Sequence, residues 1–220
     1  PTGGKFAAAV GEKFLVVYVF VDENWKQAHR KSISATEVTM HIDINHDDYL
    51  VIGVVNKYVE WFRLTFSTMK SVKKITGSGS DNIGYNVATT VSCRGNQVAY
   101  LFNNAIVLWL QDLDTGTWER TQTLQVGATD IEMSLCMLTA TLPSGVGLYM
   151  LEQLPSGSFG KNYVPTKLLF KNEESNFGKK IAFKLDDLAV LSDERINFFR
   201  NVDSTSCRQH EYFDILENRC

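Results

Sequence analysis

The sequence predicts an all-β chain of about five short, four-stranded antiparallel sheets, and three observations carry that prediction. Five apolar and aromatic segments recur at intervals of 41 to 49 residues: Val17–Phe20, Glu60–Arg63, Val107–Leu110, Leu148–Leu151 and Asn197–Arg200. Inside the repeats, apolar and polar residues alternate with the period of two that marks half-buried strands. Gly, Asn, Asp and Ser fill nearly every gap, which is the chemistry that tight hairpins require. A repeat of about 40–50 residues made of short strands is the signature of β-propeller blades. Five such periods account for essentially all 220 residues.

Taken in order, the blades are expected at about residues 5–34, 35–76, 77–125, 126–170 and 171–216, with 201–220 a polar C-terminal tail. The first is short and lacks a strand. Either the other terminus supplies it, hiding an exposed edge, or the chain is part of a larger propeller. Trp25 to Ser32 is the best short helical candidate and reads as a blade edge. The second blade runs through Val38 to Ile44, Tyr49 to Val54, Val59 to Thr65 and Met69 to Ile75. The third has strands at Val87–Cys93, Val98–Phe102, Ala105–Leu110 and Thr117–Leu124, parted by turns at Arg94–Gln97, Asn103-Asn104 and Asp112–Gly116. In the fourth, three strands are expected at Met133–Thr141, Gly145–Leu151 and Tyr163–Phe170. The fifth repeats the order at Lys180–Phe183, Leu188–Leu191, Arg195–Phe199 and about Glu211–Leu216.

Aromatics at 11% and a hydrophobic share of 44% belong to a folded chain. A net charge of −3 argues against a nucleic-acid or anionic-membrane surface. Lys70, Lys73 and Lys74 form the one dense basic cluster and read as a solvated strand end or turn. No apolar stretch reaches the roughly 18–20 residues of a membrane span. The chain opens on Pro1 rather than Met, so the lack of a targeting segment carries no information.

Of the four cysteines, none forms a Cys-x-x-Cys pair, which removes support for zinc or dithiol chemistry. Cys207 and Cys220 flank the polar tail and suggest a disulfide closing a short loop, implying an oxidising compartment. Cys93 and Cys136 lie 43 residues apart, close to one period. They would occupy similar places in neighbouring blades, as buried thiols or as a bridge, the thiols being the preferred reading. No Asn-x-Ser/Thr sequon is present.

Around Asn176-Phe177-Gly178-Lys179-Lys180-Ile181-Ala182, Asp187-Leu188-Ala189-Val190-Leu191 and Ile196-Asn197-Phe198-Phe199, the chain resembles the FG-GAP repeat of integrin-α-type propellers. Asn82 to Ala88 is similar to a second copy, with Gly116-Thr117-Trp118 trailing it. Val17–Phe20 with Trp25 gives a third, partial one. The Gly-Ala-Pro element of that repeat is missing throughout. The resemblance implies a non-enzymatic, usually extracellular module for adhesion or assembly, with a protein or glycan partner and no nucleic acid.

Three kinds of site follow. Asp43, Asn45 and Asp47 are spaced like oxygen ligands of a Ca²⁺ loop. Asp48 stands where Gly would allow the sharp turn and Val51 where a closing carboxylate belongs, so a polar hairpin tip is preferred and no cofactor is expected. Partner contact is expected at loop residues Asn24, Trp25, His46, Asp48, Ser80, Asp81 and Phe159. A glycoside hydrolase is the alternative, since five-bladed propellers include such enzymes. Asp43, Asp130 and Glu132, near the starts of innermost strands, would then supply acid and base. No nucleophile signature is present, and Gly77–Asp81 reads as an interblade loop. An intracellular scaffold is the third reading.

Overall fold

Runs of Val, Ile, Tyr, Phe and Trp broken by short polar turns favour strands, because branched and ring side chains pack well on a pleated, half-buried surface. The computed structural model describes residues 5–11, 13–33, 37–42, 50–55, 58–64, 67–76, 83–92, 95–112, 114–169, 177–184, 187–193, 195–201 and 212–214. Among them every regular element is a strand.

The first blade is β1 (Lys5–Val10), β2 (Phe14–Val21) and β3 (Asn24–Ser32). The second is β4 (Glu37–Ile42), β5 (Leu50–Val55), β6 (Tyr58–Leu64) and β7 (Met69–Thr76). The third is β8 (Ile83–Ser92), β9 (Gly95–Phe102), β10 (Ala105–Gln111) and β11 (Trp118–Leu124). The fourth is β12 (Asp130–Ser134), β13 (Met137–Leu142), β14 (Gly145–Gln153) and β15 (Phe159–Leu169). The fifth is β16 (Lys180–Lys184), β17 (Asp187–Leu191), β18 (Ile196–Asn201) and β19 (Tyr212–Asp214). Each sheet is a meander in which every strand pairs antiparallel with the next in sequence. The first has three strands among the described residues and the other four have four each.

Two hairpins show the turn chemistry at work. Asn103 and Asn104 have φ of 48° and 61°, and Asp22 and Glu23 have 52° and 62°. Consecutive left-handed residues of this kind form the two-residue turn whose twist matches the strands it joins. The fourth blade departs from expectation. The run expected as one strand from Met133 to Thr141 is broken at Leu135-Cys136 into β12 and β13, with Leu135 at φ 49°. A left-handed leucine costs roughly 1–2 kcal/mol, and no turn residue advertised it. At the β8–β9 turn the strand resumes at Gly95, earlier than the Arg94–Gln97 turn expected.

The sheets stack face to face in chain order. Innermost strands β1, β4, β8, β12 and β16 lie each against the next, the arrangement of propeller blades about an axis. The core is accordingly divided into four seams. Leu15 and Val17 meet Phe62 and Leu64 between the first two blades. Trp61 meets Val98 and Tyr100 between the second and third. Leu101, Ile106 and Leu108 meet Ile131, Leu138 and Leu151 between the third and fourth. Val146 and Leu148 meet Ile181, Phe183 and Leu188 between the fourth and fifth. Burying each such side chain contributes about 1.5–3 kcal/mol, so the seams, and not the hairpins alone, hold the blades together.

Candidate functional site

Polar groups gather where innermost strands meet, and the best defined gathering is the seam between the fourth and fifth blades. In β12, Ile131 and Met133 face the third blade. Alternation therefore turns Asp130, Glu132 and Ser134 towards the fifth. The Asp130 carboxylate is almost wholly buried. It accepts one hydrogen bond from Lys180 Nζ at 3.3 Å and another from the Ile181 backbone N–H at 3.2 Å. It thus caps an N–H on β16, the edge strand of its sheet among the described residues, which a buried backbone donor requires. Thr141 Oγ1 donates to the Gly178 carbonyl at 2.5 Å in the same seam. Gly178 has φ 89°, and a Cβ there would lie 3.0 Å from Val146 Cγ2. Both the backbone conformation and the close approach demand glycine. Glu132 follows Asp130 on the same side of β12 and is half-buried.

The other seams carry polar bolts rather than open sites. Tyr163 donates its hydroxyl to Gln97 Oε1, joining the fourth blade to the third. The Gln122 side-chain amide pairs with the Tyr163 backbone in both directions, at 3.0 and 2.7 Å. Burial pushes the Tyr163 hydroxyl well above the ordinary tyrosine range. Lys161 pairs with Glu119 across the same two blades, and Lys31 with Glu60 at 3.7 Å across the first two. Sequence reasoning missed Gln97 and Gln122. Gln97 opens the apolar run Val98–Phe102, which was the one available signal; Gln122, between Thr121 and Thr123, gave none.

An aromatic cluster fills the seam between the second and third blades. Trp61 lies 5.6 Å from Trp109 and 5.3 Å from Trp118, both steeply inclined. Ring edges so placed meet ring faces, the favoured aromatic geometry. Lys73 sits over the Trp109 ring at 4.8 Å and Lys74 over the Tyr58 ring at 3.7 Å. The basic cluster expected as a solvated strand end or turn lies on the outer strand β7, where the Lys73 and Lys74 ammonium groups rest on rings. A cleft of about 310 Å³ lies on the fourth blade, lined by Leu142, Tyr149, Pro165 and Lys167 among others of β13–β15 and the β13–β14 turn. No innermost strand contributes to it.

Asp43, Asn45, Asp47, His46, Asp48, Ser80, Asp81, Cys207 and Cys220 lie outside the described residues. Among those described, no group of three or more His, Cys, Asp or Glu is placed to hold a metal ion. Asn24 and Trp25 are exposed at the start of β3, Asn24 Nδ2 donating to the Asp22 carbonyl and Trp25 lying edge-on to Phe20. Phe159 opens β15 and packs against the core between the third and fourth blades. That core contact, not a loop, is its place. The structure sets Trp25 and Phe159 on blades that are not neighbours. Cys136 is disulfide-bonded, which corrects its reading as a buried thiol. The other three cysteines lie outside the described residues.

No family model and no curated protein matches this chain. Solved structures do. A protein from Lactobacillus plantarum superimposes with a TM-score of 0.59 at 10% identity, over 94% of this chain and 67% of its own. A candidate 6-phosphogluconolactonase from Bacteroides fragilis gives 0.54 at 13% identity, over 97% and 66%. The periplasmic gluconolactonase of Pseudomonas aeruginosa gives 0.51 at 13% identity, over 74% and 52%. The chain thus spans about two thirds of the length of the first two and about half of the third.

These neighbours correct the expectation of an FG-GAP, integrin-like repeat and, with it, of a non-enzymatic adhesion or structural module. Two of the three solved structures named above bear lactonase names. The reason lies in the motif. Phe177-Gly178 marks a turn that only glycine can make at a crowded seam, and Leu188-Ala189-Val190 is a second strand with buried faces. Any blade needs those features, so they do not separate one propeller family from another.

Proposed function

We propose that the chain is the greater part of a propeller hydrolase that opens a cyclic ester of a sugar acid in an exported setting. The observation that carries the reading is the likeness over 97% of the chain to a propeller named for 6-phosphogluconolactone, with a gluconolactonase also among the neighbours. The periplasmic source of the latter and the disulfide at Cys136 support export. Among the described residues, no helix is long and apolar enough to cross a membrane.

The chemistry asked of the site is modest. Water adds to the ring carbonyl, the ring C–O bond breaks, and the ring oxygen takes a proton. The hydroxy acid formed ionises and releases one proton to solution. A carboxylate beside the substrate serves as the base that accepts the water proton, a role worth about 10²–10⁴ in rate. We assign it to Glu132, the half-buried carboxylate that follows Asp130 on the same side of β12, while Asp130 ties Lys180 and the Ile181 N–H. The Lys180 ammonium, exposed on its outer side, supplies positive charge for an anionic sugar acid.

Acid release by pH-stat from glucono-1,5-lactone and 6-phosphogluconolactone tests this. Release above the spontaneous rate is expected, with kcat lowered about a hundredfold or more in Glu132→Gln. Rates equal to spontaneous hydrolysis on both lactones would overturn it.

A further inference from the structure

We propose that the groove between the outer strands of the second and third blades binds an acidic polysaccharide, a chain of sugars bearing carboxylate or sulfate groups. Strand register decides which side chains face it. On the second blade, Val59 and Trp61 pack into the seam with the third. Arg63 therefore shares their side of β6. The residues directly opposite on β7, Ile75, Lys73 and Lys70, lie on that side too. On the third blade, Trp109 and Trp118 belong to the same cluster. Arg120 stands opposite Trp109 and faces the second blade with it. Burial pushes the Tyr100 hydroxyl of that cluster up, and Trp109 and the nearby Arg120 guanidinium draw it part of the way back. Arg63, Lys70, Lys73 and Arg120 thus line one groove, and all but the half-buried Lys73 are exposed.

No carboxylate of these four strands shares the groove with them. Glu60 and Glu119 are the acidic residues of β6, β7, β10 and β11. They face away, to Lys31 of the first blade and Lys161 of the fourth. Asp112, in the β10–β11 turn, is engaged by its own Thr115. The other seams match a bridging lysine with a carboxylate, as Lys180 with Asp130. Here like charges gather instead. Arg63 stands directly opposite Lys70, an arrangement that strand pairing alone disfavours. In a chain of net charge −3, such a local excess complements an anionic partner. Lysines that merely guard a sheet edge need no fixed position. Lys73 has one, over the Trp109 ring at 4.8 Å, which holds its ammonium ready at a lower entropic cost of binding.

The state of the rings favours a sugar chain over a nucleic acid. Lys73 covers Trp109, and Trp61 meets Trp118 edge to face. The groove therefore offers charge without the stacking platforms that single-stranded nucleic acid uses. The acidic remainder of the chain repels a long duplex. Lys70 and Lys73 are spaced about 10 Å apart along β7, which suits a linear chain with charge on successive sugars. The groove shares no residue with the seam between β12 and β16, so it stands or falls apart from the lactone reading.

Isothermal titration of the intact protein with a heparin oligosaccharide and with polygalacturonate, beside neutral dextran, tests the proposal. At least one acidic glycan is expected to bind and dextran is not. The affinity is expected to fall about tenfold or more between roughly 50 and 200 mM salt, as counterions are released. The double variant Lys70→Gln, Arg120→Gln is expected to bind about tenfold more weakly with its thermal midpoint unchanged, and Lys70→Gln alone to show the same loss at smaller amplitude. Lys26→Gln, which removes a cation from β3, leaves binding as it was. Absence of binding to both acidic glycans at the lower salt would overturn the proposal, as would a double variant that binds them like the native protein. Tighter binding of oligothymidylate than of either glycan would overturn it in favour of a nucleic acid.

Discussion

Tyr163 fixes the fourth blade against the third at a single point. Its ring is fully buried, its hydroxyl donates to Gln97, and its backbone is held by the Gln122 amide. In Tyr163→Phe the Gln97 amide stays buried without that donor, and an orphaned buried polar group costs about 1–3 kcal/mol. Chemical denaturation should register that loss. The hydroxyl also gives a pH signature. Burial raises its pKa above the ordinary 10.0, so the folded state holds the proton more tightly than the unfolded chain does. That contribution is complete below pH 10 and is lost as pH rises above it, when only the unfolded chain ionises. Tyr100 and Tyr149 are shifted the same way by burial. The protein is expected to lose stability steeply above pH 10, and Tyr163→Phe to flatten that limb in denaturation curves measured from pH 8 to 11.

At the scale of the element, the strand with its two turns is the unit the sequence writes most plainly. Asn103-Asn104 announced its turn because asparagine tolerates left-handed backbone. The strands flanking it, β9 and β10, alternate as a blade strand must. Leu135 announced nothing, and the fourth blade was read with three strands where the structure has four. The disagreement is physical. Leu135 is held left-handed by the pairing on either side of it, not by any local preference. Gly178 is the opposite case, where one residue is dictated twice, by φ and by the distance to Val146. Gly178→Ala should destabilise the protein by about 2 kcal/mol, combining a left-handed penalty of roughly 1–2 kcal/mol with displacement of Val146 or Thr141. Thermal unfolding would show it, and an unchanged midpoint would mean the seam is looser than described.

For the molecule as a whole, the recurring period made the number of sheets legible, since each blade must bring its own bulky third strand. What the sequence could not supply was what lies between blades. Asp130 was read as a strand-start carboxylate with a catalytic alternative, yet its burial and its two donors make it a tie between innermost strands. Phe159 was read as loop and is a half-buried strand residue packed against the core. Asp130's partners lie some fifty positions away, and no local pattern encodes that distance. The resemblance to adhesion propellers failed for a related reason: short motifs report the blade, while the family is written in contacts between blades and in loops that vary freely.

The claim on which the rest stands is that successive sheets face one another in chain order. Lys161 and Glu119 join the fourth blade to the third, and Lys31 and Glu60 join the first to the second at 3.7 Å. Zero-length carbodiimide cross-linking followed by peptide mass spectrometry reads those pairs directly. The account predicts Lys161–Glu119 and Lys31–Glu60 among the cross-linked peptides of the native protein. A map in which both pairs are missing and these lysines join carboxylates on blades that are not neighbours would contradict it.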